Sequence, residues 1–299
     1  MVRPNPANVF MLFLLAFNVL LVFITSYVYW SFWHGTEQQT ILESPLFLVG
    51  GQVVGFLLPV LIFSAASPER MRIPKAPVGL VNIVLVMALS LFLQPLMMLI
   101  SGISSLFVQN PVPGMMSSLM VLPLPVALAV IALTPAVCEE LAFRGFIQTH
   151  YEAQAQPIAL TAVVNGLFFG IIHLNIHQFG YAFFMGIIFA YMVYYTQSVF
   201  AAMLSHFVLN ASQFILAYFS PYGVSDTPPD SAEIIAAIMQ IGLIALFTAP
   251  VPVALAYAFI RHNRGKNPVA AEVRTYAKPF DIAFWAVIVL YVLLVAFVF

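Results

Sequence analysis

The stretch Cys138-Glu139-Glu140-Leu141-Ala142-Phe143-Arg144 places two acids and one base inside a long apolar segment. Charged side chains are costly at bilayer depth, so they usually mark an ion path, a proton relay or a catalytic site. Arg144 follows Glu140 by four residues, which puts the two side chains on one helix face within reach of an ion pair. Glu139 lies about 100° further round the helix, so the two carboxylates can have different roles.

The composition identifies a membrane protein. Of the 299 residues, 63% are hydrophobic and 7% are charged, whereas soluble proteins contain about 25% charged residues. The mean hydropathy of +1.02 agrees with this interpretation. The chain has one cysteine, Cys138, so it cannot form an intrachain disulfide. We expect the lipid bilayer as its surroundings and no nucleic-acid partner.

Nine apolar runs long enough to cross a bilayer follow one another along the chain. We therefore predict an all-α fold, a polytopic membrane helical bundle with eight or nine transmembrane helices. The runs are residues 9–33, 45–66, 78–108, 125–147, 157–174, 180–195, 199–219, 234–260 and 280–299. We divide the chain into N-terminal helices with a Pro- and Met-rich connection (1–120), a catalytic helical core (121–219) and C-terminal helices (220–299).

The distribution of charge orients the predicted bundle. With nine spans, the acidic loops at Glu37–Glu43 and Asp226–Asp230 fall on one side of the membrane. The cations outside the motif fall on the other side, and cations collect on the cytoplasmic side. We predict a cytoplasmic N-terminus in a multi-pass protein of a prokaryotic cell membrane. The cations are Arg3, Arg70, Arg72, Lys75, Arg261, Arg264, Lys266, Arg274 and Lys278.

Two later apolar runs contain polar residues that can join the motif. Phe169 and His173 are four residues apart, as are His206 and Asn210, so each pair shares a helix face. Glu139 precedes residue 155, in the polar turn, by 16 residues, and His173 follows it by 18. An antiparallel hairpin therefore puts these two residues at one level. His206 reaches that level only if the turn projects beyond the membrane on the cytoplasmic side.

Glu-Glu-x-x-x-Arg, Phe-x-x-x-His and His-x-x-x-Asn, in this order on separate helices, resemble the three-motif signature of the CPBP family over about residues 125–215. This family comprises type II CAAX prenyl endopeptidases and bacterial relatives in bacteriocin processing and self-immunity. The resemblance implies a metal-independent glutamic intramembrane endopeptidase, which acts on a membrane-associated peptide or protein such as a prenylated CAAX segment. The implied catalytic residues are Glu139, Glu140, His173, His206 and Asn210, with Arg144 and Phe169 in support.

The spacing also assigns roles within the motif. We pair Glu140 with Arg144 as an orienting ion pair and assign Glu139 to the water, although helix phase alone permits the reverse. Apolar surroundings disfavour an ionised carboxylate, which suits a general base at neutral pH.

The remaining polar residues receive supporting roles. His173 holds the water or assists proton transfer, and His206 and Asn210 supply N–H donors for a developing oxyanion. Asn165 lies two turns before His173 and is expected to face the bundle. His177 could form a metal pair with His173, but its position near the end of an apolar run favours a solvated loop.

Two other functions fit the same residues. Two histidines and one glutamate could bind zinc, with the second glutamate as base; we rank this second because Arg144 disfavours a dication. Buried Glu, Arg and His are also ordinary parts of a proton-coupled transporter. Against a transporter stand the missing inverted repeat and the clustering of the polar groups. A non-catalytic immunity protein is the third alternative.

Overall fold

A computed structural model describes residues 4–32, 44–66, 73–108, 112–154, 156–219, 231–265 and 278–298. Within these ranges the chain forms eleven helices and no strand, which confirms the predicted all-α class. The helices are α1 (Pro6–Phe32), α2 (Pro45–Ala66), α3 (Leu80–Ser105), α4 (Val112–Met120), α5 (Leu124–Ala153), α6 (Ile158–Ile172), α7 (Ile176–Thr196), α8 (Val199–Tyr218), α9 (Ser231–Thr248), α10 (Pro250–Asn263) and α11 (Ile282–Val298).

Seven of these helices are long and apolar enough to cross a membrane: α1, α2, α3, α5, α7, α8 and α9. The chain is therefore a multi-pass membrane protein. The predicted fifth and ninth spans correspond to the shorter apolar helices α6 and α11. The predicted eighth span, 234–260, was wrong as a single helix, because it divides into α9 and α10 around Ala249. Pro250 and Pro252 lack the N–H groups that would continue the hydrogen-bond ladder.

The predicted orientation depends largely on residues outside the described ranges. Both acidic loops and five of the nine cations lie there, and the structure contains no membrane. The cytoplasmic N-terminus therefore stays a prediction.

One apolar core joins nearly the whole chain. It extends from Ala7 in α1 to Val287 in α11 and includes residues of α2, α3, α5, α6, α7, α8 and α10. The predicted division at residues 120 and 219 stays a prediction, but its three parts share this core.

Three π-helical turns lie in the two helices around the motif. They are Val53–Leu57 in α2 and Ala129–Leu133 and Phe143–Gln148 in α5. Glu139 and Glu140 lie in the regular helical turns between the two π segments of α5. A π turn breaks the regular hydrogen-bond pattern and often occurs at functional sites. These turns therefore change the direction of side chains immediately before and after the glutamates.

Helices α6 and α7 approach closely at paired glycines. A Cβ on Gly186 would lie 2.6 Å from the Cα of Gly166, and a Cβ on Gly166 would lie 2.5 Å from the carbonyl oxygen of Phe183. Small residues allow such backbone contact between membrane helices. The contact brings α7 against the face of α6 that carries Phe169.

The polar turn after the motif is packed against both ends of the chain. Asn5 and Gln154 exchange two side-chain hydrogen bonds of 3.0 Å. The Tyr151 hydroxyl donates to Asn8 at 2.6 Å, and Asn8 donates to Asp281 at 2.9 Å. The turn is thus held by the start of α1 and by the residues before α11. Its predicted projection beyond the membrane stays a prediction.

Candidate active site

Glu140 is the centre of a buried ion-pair cluster. Its Oε1 and Oε2 both lie 3.1 Å from Nη1 of Arg144, which confirms the predicted pair. Nδ1 of His206 lies 2.9 Å from Oε1 of the same carboxylate. Glu140 and Arg144 are fully buried, and His206 is 6% exposed. Two donor side chains from two helices therefore engage Glu140.

The buried guanidinium of Arg144 is compensated by further contacts. Its Nη2 donates to the carbonyl oxygen of Gly186 at 2.9 Å. Its Cζ lies 4.7 Å from the ring centroid of Phe169, 5.1 Å from that of Phe189 and 5.7 Å from that of Phe143. A cation over an aromatic face contributes about 2 kcal/mol when both are desolvated. The aromatic rings thus stabilise the cation and keep water from the ion pair.

Glu139 has a different environment from its neighbour. Its Oε1 accepts a hydrogen bond of 3.2 Å from Nε2 of Gln52 in α2. Its Oε2 is buried and has no hydrogen-bond donor among the described residues. The side chain is 5% exposed. One oxygen of this carboxylate is held, and the other is available for a reacting group.

His173 ends α6 with a defined ring orientation. Its Nδ1 lies 2.7 Å from the carbonyl oxygen of Phe169, and its ring packs edge-on against the Phe169 ring at 5.0 Å. A carbonyl oxygen only accepts, so Nδ1 carries the hydrogen. Nε2 of the neutral ring is then a hydrogen-bond acceptor. The Phe169 ring also packs edge-on against the His206 ring, with centroids 5.9 Å apart, so it contacts both histidines.

His206 and Asn210 lie one turn apart on α8. The Glu140 carboxylate accepts from Nδ1 of His206, so Nε2 is the ring atom left for a substrate. The His206 ring stacks on Phe189 with centroids 5.4 Å apart. Nδ2 of Asn210 donates to the carbonyl oxygen of Ile131 at 3.2 Å, within the first π segment of α5. This bond uses one of the two amide N–H groups and fastens α8 to the motif helix.

Four of the predicted site residues thus form one contact cluster: Glu140, Arg144, Phe169 and His206. His173 joins the cluster through Phe169. Glu139 and Asn210 flank it on α5 and α8, and among the described residues no hydrogen bond links either of them to it.

Three contacts of the site were not predicted from the sequence: Gln52 on Glu139, the Gly186 carbonyl on Arg144, and Phe189 against both Arg144 and His206. Gln52 is the only amide in the apolar run 45–66, and this signal could have indicated it. The Gly186 carbonyl and Phe189 have no comparable signal, because a backbone acceptor and one phenylalanine among 28 are not distinctive.

The structure tests two other predictions about polar residues. The solvated position of His177 was wrong: it is 1% exposed in the first turn of α7, and its Nε2 lies 3.0 Å from the hydroxyl of Ser105. Asn165 is fully buried, as expected for a residue facing the bundle. Cys138, the residue before Glu139, is 2% exposed and belongs to the apolar core.

The described residues contain no group of three or more His, Cys, Asp or Glu side chains arranged to hold a metal ion. Two donors of the zinc alternative, His206 and Glu140, hydrogen-bond to each other in this arrangement. The expected independence from cofactors stays a prediction.

Comparison with protein-family models gives a match to the region that contains the three motifs. Residues 121–212 match the family model described as "Type II CAAX prenyl endopeptidase Rce1-like". Searches of curated proteins and of solved structures found no match. The matched residues include all three motifs and confirm the resemblance to the CPBP family, whose members of this type are proteases. Over residues 121–212, this multi-pass membrane protein is therefore similar to the Rce1-like type II CAAX prenyl endopeptidases.

Proposed function

We propose that the chain is an intramembrane endopeptidase that hydrolyses a peptide bond of a membrane-associated substrate, with Glu139 as the general base. The observation that carries this proposal is the unequal engagement of the two glutamates. Arg144 and His206 occupy the Glu140 carboxylate, whereas Oε2 of Glu139 has no donor among the described residues. A base needs an oxygen within hydrogen-bond reach of the proton that it takes.

The reaction follows from this assignment. Glu139 takes one proton from a water molecule while the water oxygen bonds to the substrate carbonyl carbon, and the carbonyl oxygen becomes an oxyanion. The C–N bond then breaks as the oxyanion restores the carbonyl group. The proton on Glu139 passes to the leaving nitrogen, assisted by Nε2 of His173 as an acceptor. The products are a carboxyl terminus and an amine, and Glu139 is ionised again.

His206 and Asn210 are the proposed oxyanion donors. Glu140 accepts from Nδ1 of His206, and a ring that carries hydrogens on both nitrogens donates from Nε2 to the oxyanion. Asn210 retains a second N–H beyond its bond to Ile131. Removing one such donor from other proteases costs about 3–4 kcal/mol of the activation barrier. Glu140 and Arg144 thus act on the reaction through His206.

The substrate class follows from the family and from the membrane. The substrate is a membrane-associated or lipidated peptide or protein, of which a prenylated CAAX segment is one example. The proposed location is a prokaryotic cell membrane with the active site toward the cytoplasm. The basic residues Arg261, Arg264 and Lys278, beside α10 and α11, support this orientation under the positive-inside rule.

A comparison of protein termini in membranes tests this function. Membranes from cells with the wild type and with Glu139→Gln are compared by terminal proteomics, with Glu152→Gln, on the same helix, as the matched control. New termini should appear with the wild type and with Glu152→Gln, and they should be missing with Glu139→Gln. The same termini should form after exhaustive chelation, because no step of the proposed reaction uses a metal. An identical set of termini with Glu139→Gln would contradict the proposal and favour transport or immunity.

A further inference from the structure

Gln52 enters the site from outside the family match. It lies in α2, about 70 residues before the segment 121–212. Its Nε2 donates to Oε1 of Glu139 at 3.2 Å, and its own Oε1 is buried without a donor among the described residues. The side-chain amide of Gln52 therefore donates to the proposed base, Glu139, through its nitrogen. Its oxygen stays available to accept a hydrogen bond.

Two acceptor oxygens are thus present on one hydrogen-bonded pair. They are Oε1 of Gln52 and Oε2 of Glu139, and both are buried and lack a donor among the residues that the structure describes. A buried acceptor without a donor is energetically unfavourable. A water molecule carries two O–H donors, so one molecule can satisfy both oxygens. The pair therefore has the chemistry of a binding site for the attacking water.

The backbone around Gln52 supports a fixed position for the amide. The π segment Val53–Leu57 begins at the next residue. Asn18 of α1 donates to the carbonyl oxygen of Gly55 in this segment at 2.9 Å. A Cβ on Gly55 would lie 2.7 Å from Oδ1 of Asn18, so the two helices are in close contact there. Helix α1 thus holds the irregular turn that directs Gln52 toward α5.

We propose that Gln52 is a catalytic residue of the protease proposed above, on which this inference rests. Its N–H group orients the Glu139 carboxylate, and its Oε1 accepts the second O–H of the attacking water. The first proton of the water passes to Oε2 of Glu139. The second stays on the water oxygen, which becomes the hydroxyl oxygen of the new carboxyl terminus. Gln52 neither gains nor loses a proton, and α2 becomes part of the active site.

The first test compares two glutamine variants in the full-length protein in lipid nanodiscs. The probe is an internally quenched peptide that ends in a farnesylated CAAX segment. Gln52→Met, which keeps the length of the side chain and removes both hydrogen bonds, should lower kcat about 10- to 100-fold with little change in KM. The control is Gln94→Met in α3, which removes a comparable amide bonded to Leu209 and Ser212 and should keep kcat. A wild-type kcat in Gln52→Met would overturn the proposal.

The second test does not depend on activity. At acidic pH, the infrared C=O band of protonated Glu139 is assigned by its loss in Glu139→Gln. The band should move to higher wavenumber in Gln52→Met, because the hydrogen bond to Oε1 is lost, and an unmoved band would overturn the contact. Cleavage by Glu139→Gln at the wild-type rate would contradict the proposed function itself. If Glu139→Gln loses cleavage while Gln52→Met keeps the wild-type kcat, only the proposed role of Gln52 is contradicted.

Discussion

Helices α5 and α9 have nearly the same mean hydropathy but very different surroundings. In the most apolar 18-residue window of α5, 61% of the residues are buried inside the protein, whereas none are buried in that of α9. Hydropathy therefore predicts that both helices cross a membrane and does not predict which one faces protein. The difference comes from the polar side chains of α5, which need partners that lipid cannot provide.

The partners of α5 come from four other helices. Gln52 of α2, Phe169 of α6, Gly186 of α7 and His206 of α8 contact Glu139, Glu140 or Arg144. On α9 the large apolar side chains lie outward, with Leu246 67% exposed and Phe247 79% exposed. Lipid is as apolar as a protein core, so these side chains gain little from burial. Substitutions in the two helices should therefore differ strongly in their effects.

The largest effect on stability is expected for Arg144→Met. Removing one partner of a buried ion pair leaves Glu140 as an uncompensated charge, which costs about 3–5 kcal/mol. The free energy of unfolding in mixed detergent–lipid micelles measures this loss. Arg261→Met, at an exposed position near the end of α10, is the control and should change stability little. Equal stability of the two variants would show that protein partners do not hold the α5 charges.

A smaller loss is expected for Ile147→Ala on α5. Ile147 is fully buried, and the substitution removes roughly 80 Å³ of side chain, which at about 24 cal/mol per Å³ of cavity corresponds to about 2 kcal/mol. The cavity contributes even in a membrane, because the lost packing contacts are not replaced. The same unfolding assay measures it, and a loss below about 0.5 kcal/mol would indicate that α5 repacks freely.

The smallest effect is expected for Leu246→Ala on α9, the matched partner of Ile147→Ala. The shortened side chain leaves no cavity, because lipid fills the space, so the free energy of unfolding should change by less than about 0.5 kcal/mol. A loss as large as that of Ile147→Ala would mean that a protein surface covers this face of α9. The contrast between α5 and α9 would then disappear.

Some of the site could be predicted from local spacing. The pair Glu140–Arg144 follows from four-residue spacing on a helix, and the buried position of Asn165 follows from its phase with His173. These inferences succeed because they depend on the geometry of one helix. The motif order also predicted the resemblance that the match at residues 121–212 confirms.

Other features depend on contacts between distant segments. Gln52 is one amide in an apolar run, and nothing in its neighbours indicates that α2 faces Glu139. The π turn of α2 contacts a distant residue, Asn18, which donates to the Gly55 carbonyl. His177 looked like a loop residue because the hydroxyls that bury it belong to α3. The break before Pro250 was visible in the sequence and was missed, because hydropathy continues across it.

The central claim is that the two adjacent glutamates have different roles. Glu139 is the base, and Glu140 is the partner of Arg144 and His206. The most direct measurement compares cleavage by the wild type and Glu139→Gln at equal folded fraction, on a substrate whose new terminus depends on the wild type. We predict at least a roughly 1,000-fold loss of rate, with the free energy of unfolding unchanged within about 1 kcal/mol. Cleavage by Glu139→Gln within about tenfold of the wild type would contradict the claim.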